Sequence, residues 1–305
     1  MIVWLVAGQG AEHPGMGLEL ARSYAPAAAL WARAGEAAGK DLLQLSEAGG
    51  RSLLRTEYLQ PALTAVALSA ALFLRDEGIE LSIALGHSAG EVGALALAGH
   101  LSFEDAGYLS AMRGRAMAEA ARARPGGMAM VGGFKAQARE VIEHGAKAGA
   151  IFDAGQISGD AYLVAGDRAA LRAAASLDGV SPLPVSGPWH CPLMEPAVAE
   201  LRPVVESVIE DAHGTTAWVS NETAERGAAD ATQAGELLLS QLTRPMNLHG
   251  AIEYLLREGA TELVVLGPHR VLQHIVRQHF DEYTQPRIHG TSSLQELQAV
   301  VRELA

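Results

Sequence analysis

Compact apolar runs bounded by glycine alternate along this chain with longer stretches in which apolar residues return at helical spacing. Residues 2–6, Ile-Val-Trp-Leu-Val, form such a run and stop at Gly8-Gln9-Gly10, which reads as a buried strand entering a tight turn. Helical patterning follows over 21–43. Residues 61–74 predict a further helix with Pro61 in its first turn, where the missing N–H does no harm. A short apolar run at 82–85 ends at Gly86-His87-Ser88-Ala89-Gly90. Helical patterns then occupy 91–98 and 103–121, the second with Ser102 as cap and Glu104 and Asp105 in its first turn.

The texture changes at Ala123-Arg124-Pro125-Gly126-Gly127. Strand patterns at 128–131, 150–152, 162–165 and 181–185 enclose helices at 136–148 and 168–177. This βαββαβ order is that of a ferredoxin-like unit. Beyond it, helices at 200–209, 234–242, 248–257 and 271–279 alternate with strands at 216–220 and 263–266. Alternating strands and helices in the outer segments predict a parallel sheet covered on both faces. The expected fold class is therefore α/β: a parallel-sheet large domain over 1–123 and 187–305, with a ferredoxin-like small domain inserted at 124–186.

Composition narrows the function classes. Of 305 residues, 49% are hydrophobic and 19% charged, enough for a sizeable core and too apolar for a disordered chain. The net charge of −12 argues against a uniform nucleic-acid-binding surface. The single cysteine, Cys191, excludes an internal disulfide and fits a reducing, cytoplasmic setting. The N-terminus lacks a basic segment before its apolar run and does not read as a signal peptide. No run reads as a membrane span, and no metal-ligand or phosphate-loop spacing occurs.

The sharpest chemical signal is Gly86-His87-Ser88-Ala89-Gly90, which matches G-x-S-x-G. A strand that turns abruptly into a helix exposes the serine at the apex, and the N–H of Ala89 faces a developing oxyanion at the helix N-terminus. Ser88 is thus the candidate nucleophile. His87, its neighbour, reads as a packed or turn-stabilising residue, because adjacent side chains in a tight turn point apart. Among 11 histidines the base is open by residue type alone. The order usual in α/β-hydrolases would use a late histidine such as His269, His274 or His289. The alternative is His190, presented after the turn Gly187-Pro188-Trp189 and followed by Cys191, which reads as a small packed residue.

Further motifs occur in order: Met112-Arg113-Gly114, Pro184-Val185-Ser186 before His190-Cys191-Pro192-Leu193-Met194, Val219-Ser220-Asn221, Gln241-Leu242 with Pro245, and Leu266-Gly267-Pro268 before Val271-Leu272. With Gly8-Gln9-Gly10 and the serine motif, the chain closely resembles the malonyl-CoA:acyl-carrier-protein transacylases and the acyltransferase domains of polyketide synthases. The resemblance implies an α/β-hydrolase-like large domain with a ferredoxin-like insert. It implies Ser88 as acylated nucleophile, His190 as base, and the N–H groups of Gln9 and Ala89 as oxyanion hole. Arg113 would bind the free carboxylate of a malonyl group, with Gln9, His87 and Trp189 around the substrate. A backbone carbonyl near Asn247 would orient the histidine. No bound cofactor is implied: the substrate is a CoA thioester, and the partner is an acyl carrier protein bearing phosphopantetheine.

Several positions depart from the family pattern. Ala7 stands for a usual proline, Asn247 for a common glutamine, and His269 for a customary glycine; Gly155-Gln156-Ile157-Ser158-Gly159 replaces an asparagine-rich stretch. Trp189 either narrows the pocket or turns away and packs. An acidic carrier needs a local basic patch, for which Arg115, Arg122, Arg124, Lys135, Arg244, Arg270 and Arg277 are candidates by type. The competing function is an acyl hydrolase of the same fold that clears carriers. Arg113 speaks against it, since a neutral chain gains nothing from a buried cation.

Overall fold

The computed structural model describes residues 1–213, 216–280 and 285–305. Among these, the strands are β1 (Ile2–Val6), β2 (Ile83–Gly86), β3 (Gly126–Gly132), β4 (Ile151–Ser158), β5 (Ala161–Asp167), β6 (Val180–Pro182), β7 (Ala217–Val219), β8 (Met246–Asn247), β9 (Glu262–Leu266) and β10 (Arg287–Gly290). They form two sheets. The larger has the order β10-β9-β1-β2-β7 and is parallel throughout. Its central strand β1 is buried from Val3 to Val6, as expected for a parallel strand covered on both faces.

The smaller sheet has the order β6-β3-β5-β4-β8. Its first four strands are antiparallel neighbours and carry the ferredoxin-like connectivity. Ala129, Val131, Tyr162 and Val164 face the helices Lys135–Gly145 and Arg168–Ala174 and make a separate small core. Met128, Leu163 and Ala165, on the other face, join the main core. The fifth strand comes from outside segment 124–186: β8 pairs parallel with β4, Gly155 opposite Met246 and Gln156 opposite Asn247. Two residues are too few to leave a strand pattern in the sequence, and β8 was not expected.

Other boundaries also moved. The helical stretch 21–43 is broken into Leu18–Ser23, Ala25–Ala38 and Leu42–Ala48, because Pro26 has no N–H to continue the first helix, Tyr24 is extended between the two, and Gly39 ends the second. The helix expected at 61–74 runs over Thr56–Asp76, so Pro61 lies inside it rather than in its first turn. At that length it is long and apolar enough to cross a membrane, but most of it is buried inside the protein, which makes it a core helix. Strand β10 and the helix Leu294–Leu304 were not expected. In β10, which pairs parallel with β9, the side chains of Arg287 and His289 both bond to Glu262, so polar contacts accompany the backbone ladder.

The helix Thr56–Asp76 crosses the helix Phe103–Ala123 at very close range. A Cβ at Gly114 would stand 2.5 Å from the carbonyl oxygen of Thr56 and 2.9 Å from the Cα of Glu57, both rigid backbone atoms. Glycine is what lets the two helices touch there, and its neighbour Arg113 is thereby carried against Gln60. Gly114→Ala must push the helices apart and should cost about 1–3 kcal/mol. The urea midpoint measures this; an unchanged midpoint would contradict the contact.

Candidate active site

The strand β2 ends at Gly86, and Ser88 follows in a left-handed conformation at φ 52°. A one-turn 3-10 segment, Ser88–Gly90, leads into the helix Glu91–Leu97. This sharp reversal depends on the end of β1 lying against it. A Cβ on Gly90 would collide with the carbonyl of Val6, and one on Gly8 with the carbonyl of His87. The loop carrying Gln9 is therefore pressed onto the serine turn, which brings together the two backbone segments expected to bind an oxyanion. The Gln9 side chain is tied back by Nε2 donating to Thr56 Oγ1 at 3.2 Å.

His190 comes from a distant part of the chain, 102 positions beyond Ser88. Its Nε2 lies 2.7 Å from Ser88 Oγ. It too is left-handed, at φ 58°, and it is almost fully buried. His190 Nδ1 lies 2.8 Å from the carbonyl oxygen of Gln241. An Nδ1–H donated to that carbonyl leaves Nε2 as the acceptor for the serine proton. This corrects the expectation at Asn247. Gln241 follows the helix Ala231–Ser240, where helix carbonyls lack intrahelical partners and are free to accept. Asn247 has other duties: its N–H donates to the Asn221 carbonyl at 2.7 Å, and its Oδ1 caps the next helix by accepting from Gly250 N–H at 3.0 Å.

Arg113 is fully buried. Its Nη1 donates to Gln60 Oε1 at 2.6 Å and its Nη2 to Gln241 Oε1 at 2.8 Å, while Nε has no partner among the described residues. Gln241 also donates through Nε2 to Glu91 Oε2. Glu91 Oε1 accepts from the N–H of Asn221 at 3.0 Å, and Asn221 Oδ1 accepts from the N–H of Ser88 at 3.0 Å. Ser88, His190, Gln241, Glu91 and Asn221 thus close a ring of hydrogen bonds, with Arg113 attached at Gln241. Asn221 and Gln241 lay within the sequence motifs and Glu91 directly after the serine motif, but none carried an expected role. Their signal was weak: single polar residues beside apolar runs.

Burial sets the protonation states. It pushes the His190 imidazole down to about 3, with the charge of Arg113 acting the same way. His87 is lowered to about 4 by burial. Burial pushes the Glu91 carboxyl up, opposed by the Asn221 N–H and by Arg113, which favour its charged form. Cys191 is fully buried, donates to the Pro188 carbonyl, and is raised to about 11, so its thiol is inert. Trp189 is also buried; its ring lies against Gly187 and packs in the main core rather than turning outward. Among the described residues no cluster of three or more His, Cys, Asp or Glu side chains is arranged to hold a metal ion.

The other singled-out residues sit away from the ring. His269 Nδ1 is 2.6 Å from Ser292 Oγ, and His289 is bonded to Glu262. Of the candidate docking cations, Arg124 is engaged by Asp167, Arg122 by Glu57 and Glu119, and Arg244 by Glu222. The stretch Gly155-Gln156-Ile157-Ser158 completes β4 and receives β8.

Comparison with known proteins gives a consistent family. The acyl transferase domain model matches residues 3–300. The chain is 32% identical over 286 residues to the malonyl CoA-acyl carrier protein transacylase of Bacillus subtilis, covering 90% of this chain and 89% of that one. It is 30% identical to the transacylase of the same name from Salmonella typhimurium, covering 94% and 95%. Among solved structures, the MCAT of Streptococcus pneumoniae superposes with a TM-score of 0.89 at 29% identity over 100% of both chains. The malonyl CoA-acyl carrier protein transacylase of Coxiella burnetii gives 0.90 at 26% identity over 99% and 97%.

The lowered imidazole makes a prediction about acid. The free-base form of His190 is lost only as pH falls through about 3, not through the usual 6.5. Labelling of Ser88 by a fluorophosphonate should stay nearly flat from about pH 7 to about pH 5. An ordinary imidazole would lose more than roughly tenfold over that span. A rate falling with a midpoint near 6.5 would refute the buried-base state.

Proposed function

Since this chain belongs to the acyl transferase domain family, we propose that it moves a malonyl, or substituted malonyl, group from coenzyme A to the phosphopantetheine thiol of an acyl carrier protein. The observation that carries this reading is Arg113: a fully buried guanidinium with an unpartnered Nε, bonded to the same glutamine that orients the histidine. A carboxylated acyl group matches a buried cation in charge and in bidentate geometry.

The chemistry follows from the 2.7 Å contact between Ser88 Oγ and His190 Nε2. The serine oxygen attacks the thioester carbonyl as His190 takes its proton. The N–H groups of Gln9 and Ala89 hold the resulting oxyanion. The tetrahedral species collapses, the C–S bond breaks, and His190 returns the proton to the departing CoA thiolate. The acyl group is left as an ester on Ser88. The carrier thiol then attacks this ester, with His190 taking the thiol proton and returning it to Ser88. The neutral imidazole is ready for both halves, because burial holds it in the base form.

Intact-protein mass measurement after exposure to malonyl-CoA should show one malonyl group on the wild-type chain and none on Ser88→Ala. Adding carrier protein should discharge it onto the phosphopantetheine arm. Rapid release of free malonate with no acyl-carrier formed would instead identify a hydrolase. Arg113→Ala should lower the preference for malonyl over acetyl by roughly tenfold to a hundredfold, the worth of a charge-assisted pair of about 1.5–3 kcal/mol. Unchanged selectivity in competition assays would remove the carboxylate role.

A further inference from the structure

Gln241 makes three bonds that point in three directions. Its main-chain carbonyl accepts from His190, its side-chain oxygen accepts from Arg113, and its side-chain nitrogen donates to Glu91. The side-chain amide can serve Arg113 only if its oxygen faces the guanidinium, and what fixes that choice is an acceptor on its other side. Glu91 is that acceptor. It is fully buried, and its second oxygen is committed to the N–H of Asn221, whose side chain in turn holds the N–H of Ser88.

We infer that Glu91 is a positioning residue: its carboxylate fixes the orientation of the Gln241 amide, and through it aligns Arg113, which selects the acyl group, with His190, which activates Ser88. This rests on the reading of Ser88, His190 and Arg113 given above. Glu91 touches no substrate; it acts through Gln241 and Asn221. Both of its oxygens accept N–H bonds and Arg113 lies beside it, which favour the carboxylate form against the upward push of burial; that carboxylate in turn opposes the downward push of burial on the guanidinium.

The donor–acceptor logic makes the inference specific. In Glu91→Gln the shape is kept, but an NH2 group must face either the Gln241 NH2 or the Asn221 N–H. If Gln241 flips to escape, its NH2 faces Arg113. Every rearrangement leaves two donors opposed. In the double variant Glu91→Gln/Gln241→Glu, the new amide donates to the new carboxylate. That carboxylate still accepts from Arg113, and its main-chain carbonyl still accepts from His190. Every donor again meets an acceptor, and the net charge is that of the wild type.

Two rates test this: malonyl against acetyl transfer in competition, and fluorophosphonate labelling of Ser88. Glu91→Gln should lose about tenfold to a hundredfold in malonyl kcat/KM, because a buried donor is left without an acceptor. Its malonyl-to-acetyl ratio and its labelling rate should both fall. The double variant should recover both. A single variant with wild-type ratio and labelling overturns the inference. So does a folded double variant as impaired as the single one, and so does a double variant that fails to fold. If the single variant fails to fold, the double variant decides alone. If the wild-type chain takes no malonyl on Ser88, the functional reading falls. The ring is then judged by labelling alone, which the single variant should still lower and the double restore.

Discussion

A guanidinium buried away from water carries a permanent charge and five N–H donors, and the protein must answer both. Arg113 imposes this demand on the whole large domain. Gln60 supplies an oxygen from the helix Thr56–Asp76, Gln241 supplies another from beyond the helix Ala231–Ser240, and Glu91, in the first turn after the serine, opposes the downward push of burial on the guanidinium. None of these is near another in sequence. They meet because Gly114 lets two long helices touch and because the serine turn delivers Glu91 to the same place. One residue serves both sides of this arrangement: Gln241 gives its side-chain oxygen to the cation and its main-chain oxygen to His190.

The same bonds account for strain. Ser88 and His190 both hold φ near +55°, a region that costs a non-glycine residue roughly 1–3 kcal/mol. Such conformations persist only where the surroundings over-determine them. Ser88 is held at its N–H by Asn221 and at its hydroxyl by His190; His190 is held at both ring nitrogens. Each strained residue is fixed by contacts from distant parts of the chain. A serine oxygen therefore faces an imidazole nitrogen without either side chain having to be ordered when substrate arrives, which is the entropic content of a preorganised site.

What the sequence disclosed follows the range of the interactions involved. The apolar run of β1, the glycine-bounded serine turn and the βαββαβ order of the insert are local patterns, and they read directly. So did Ser88, which sits in a short motif; Arg113 was singled out only by the family likeness, since an arginine on a helix is by itself an ordinary solvated charge. The base was open among several histidines until the family likeness singled out His190, because its contact with Ser88 spans more than a hundred positions. The orienting carbonyl was misplaced at Asn247 for a physical reason: a main-chain oxygen has no residue type, so no side chain announces it. Strand β8, two residues long, and β10, four residues of which Arg287 and His289 are polar and bond to Glu262, are too short and too mixed to show a hydrophobic period. The ring residues Glu91, Asn221 and Gln241 are polar side chains whose value lies in one another, and that is a three-dimensional property.

The segment from Gln241 to Asn247 shows why the misplacement is informative. At one end, the Gln241 carbonyl is free because a helix has just ended, and it serves His190. At the other end, Asn247 gives its N–H to Asn221, spends its side chain on capping the helix Leu248–Arg257, and joins Met246 in pairing with β4 of the small sheet. One end of this segment belongs to the chemistry and the other to docking the inserted domain. Because Asn221 receives the Asn247 N–H and also holds the Ser88 N–H, the small sheet is connected to the serine turn through two consecutive hydrogen bonds. A substitution at residue 247 that keeps the main chain in place leaves the imidazole untouched. One that unseats β8 disturbs the small domain and the Ser88 turn together.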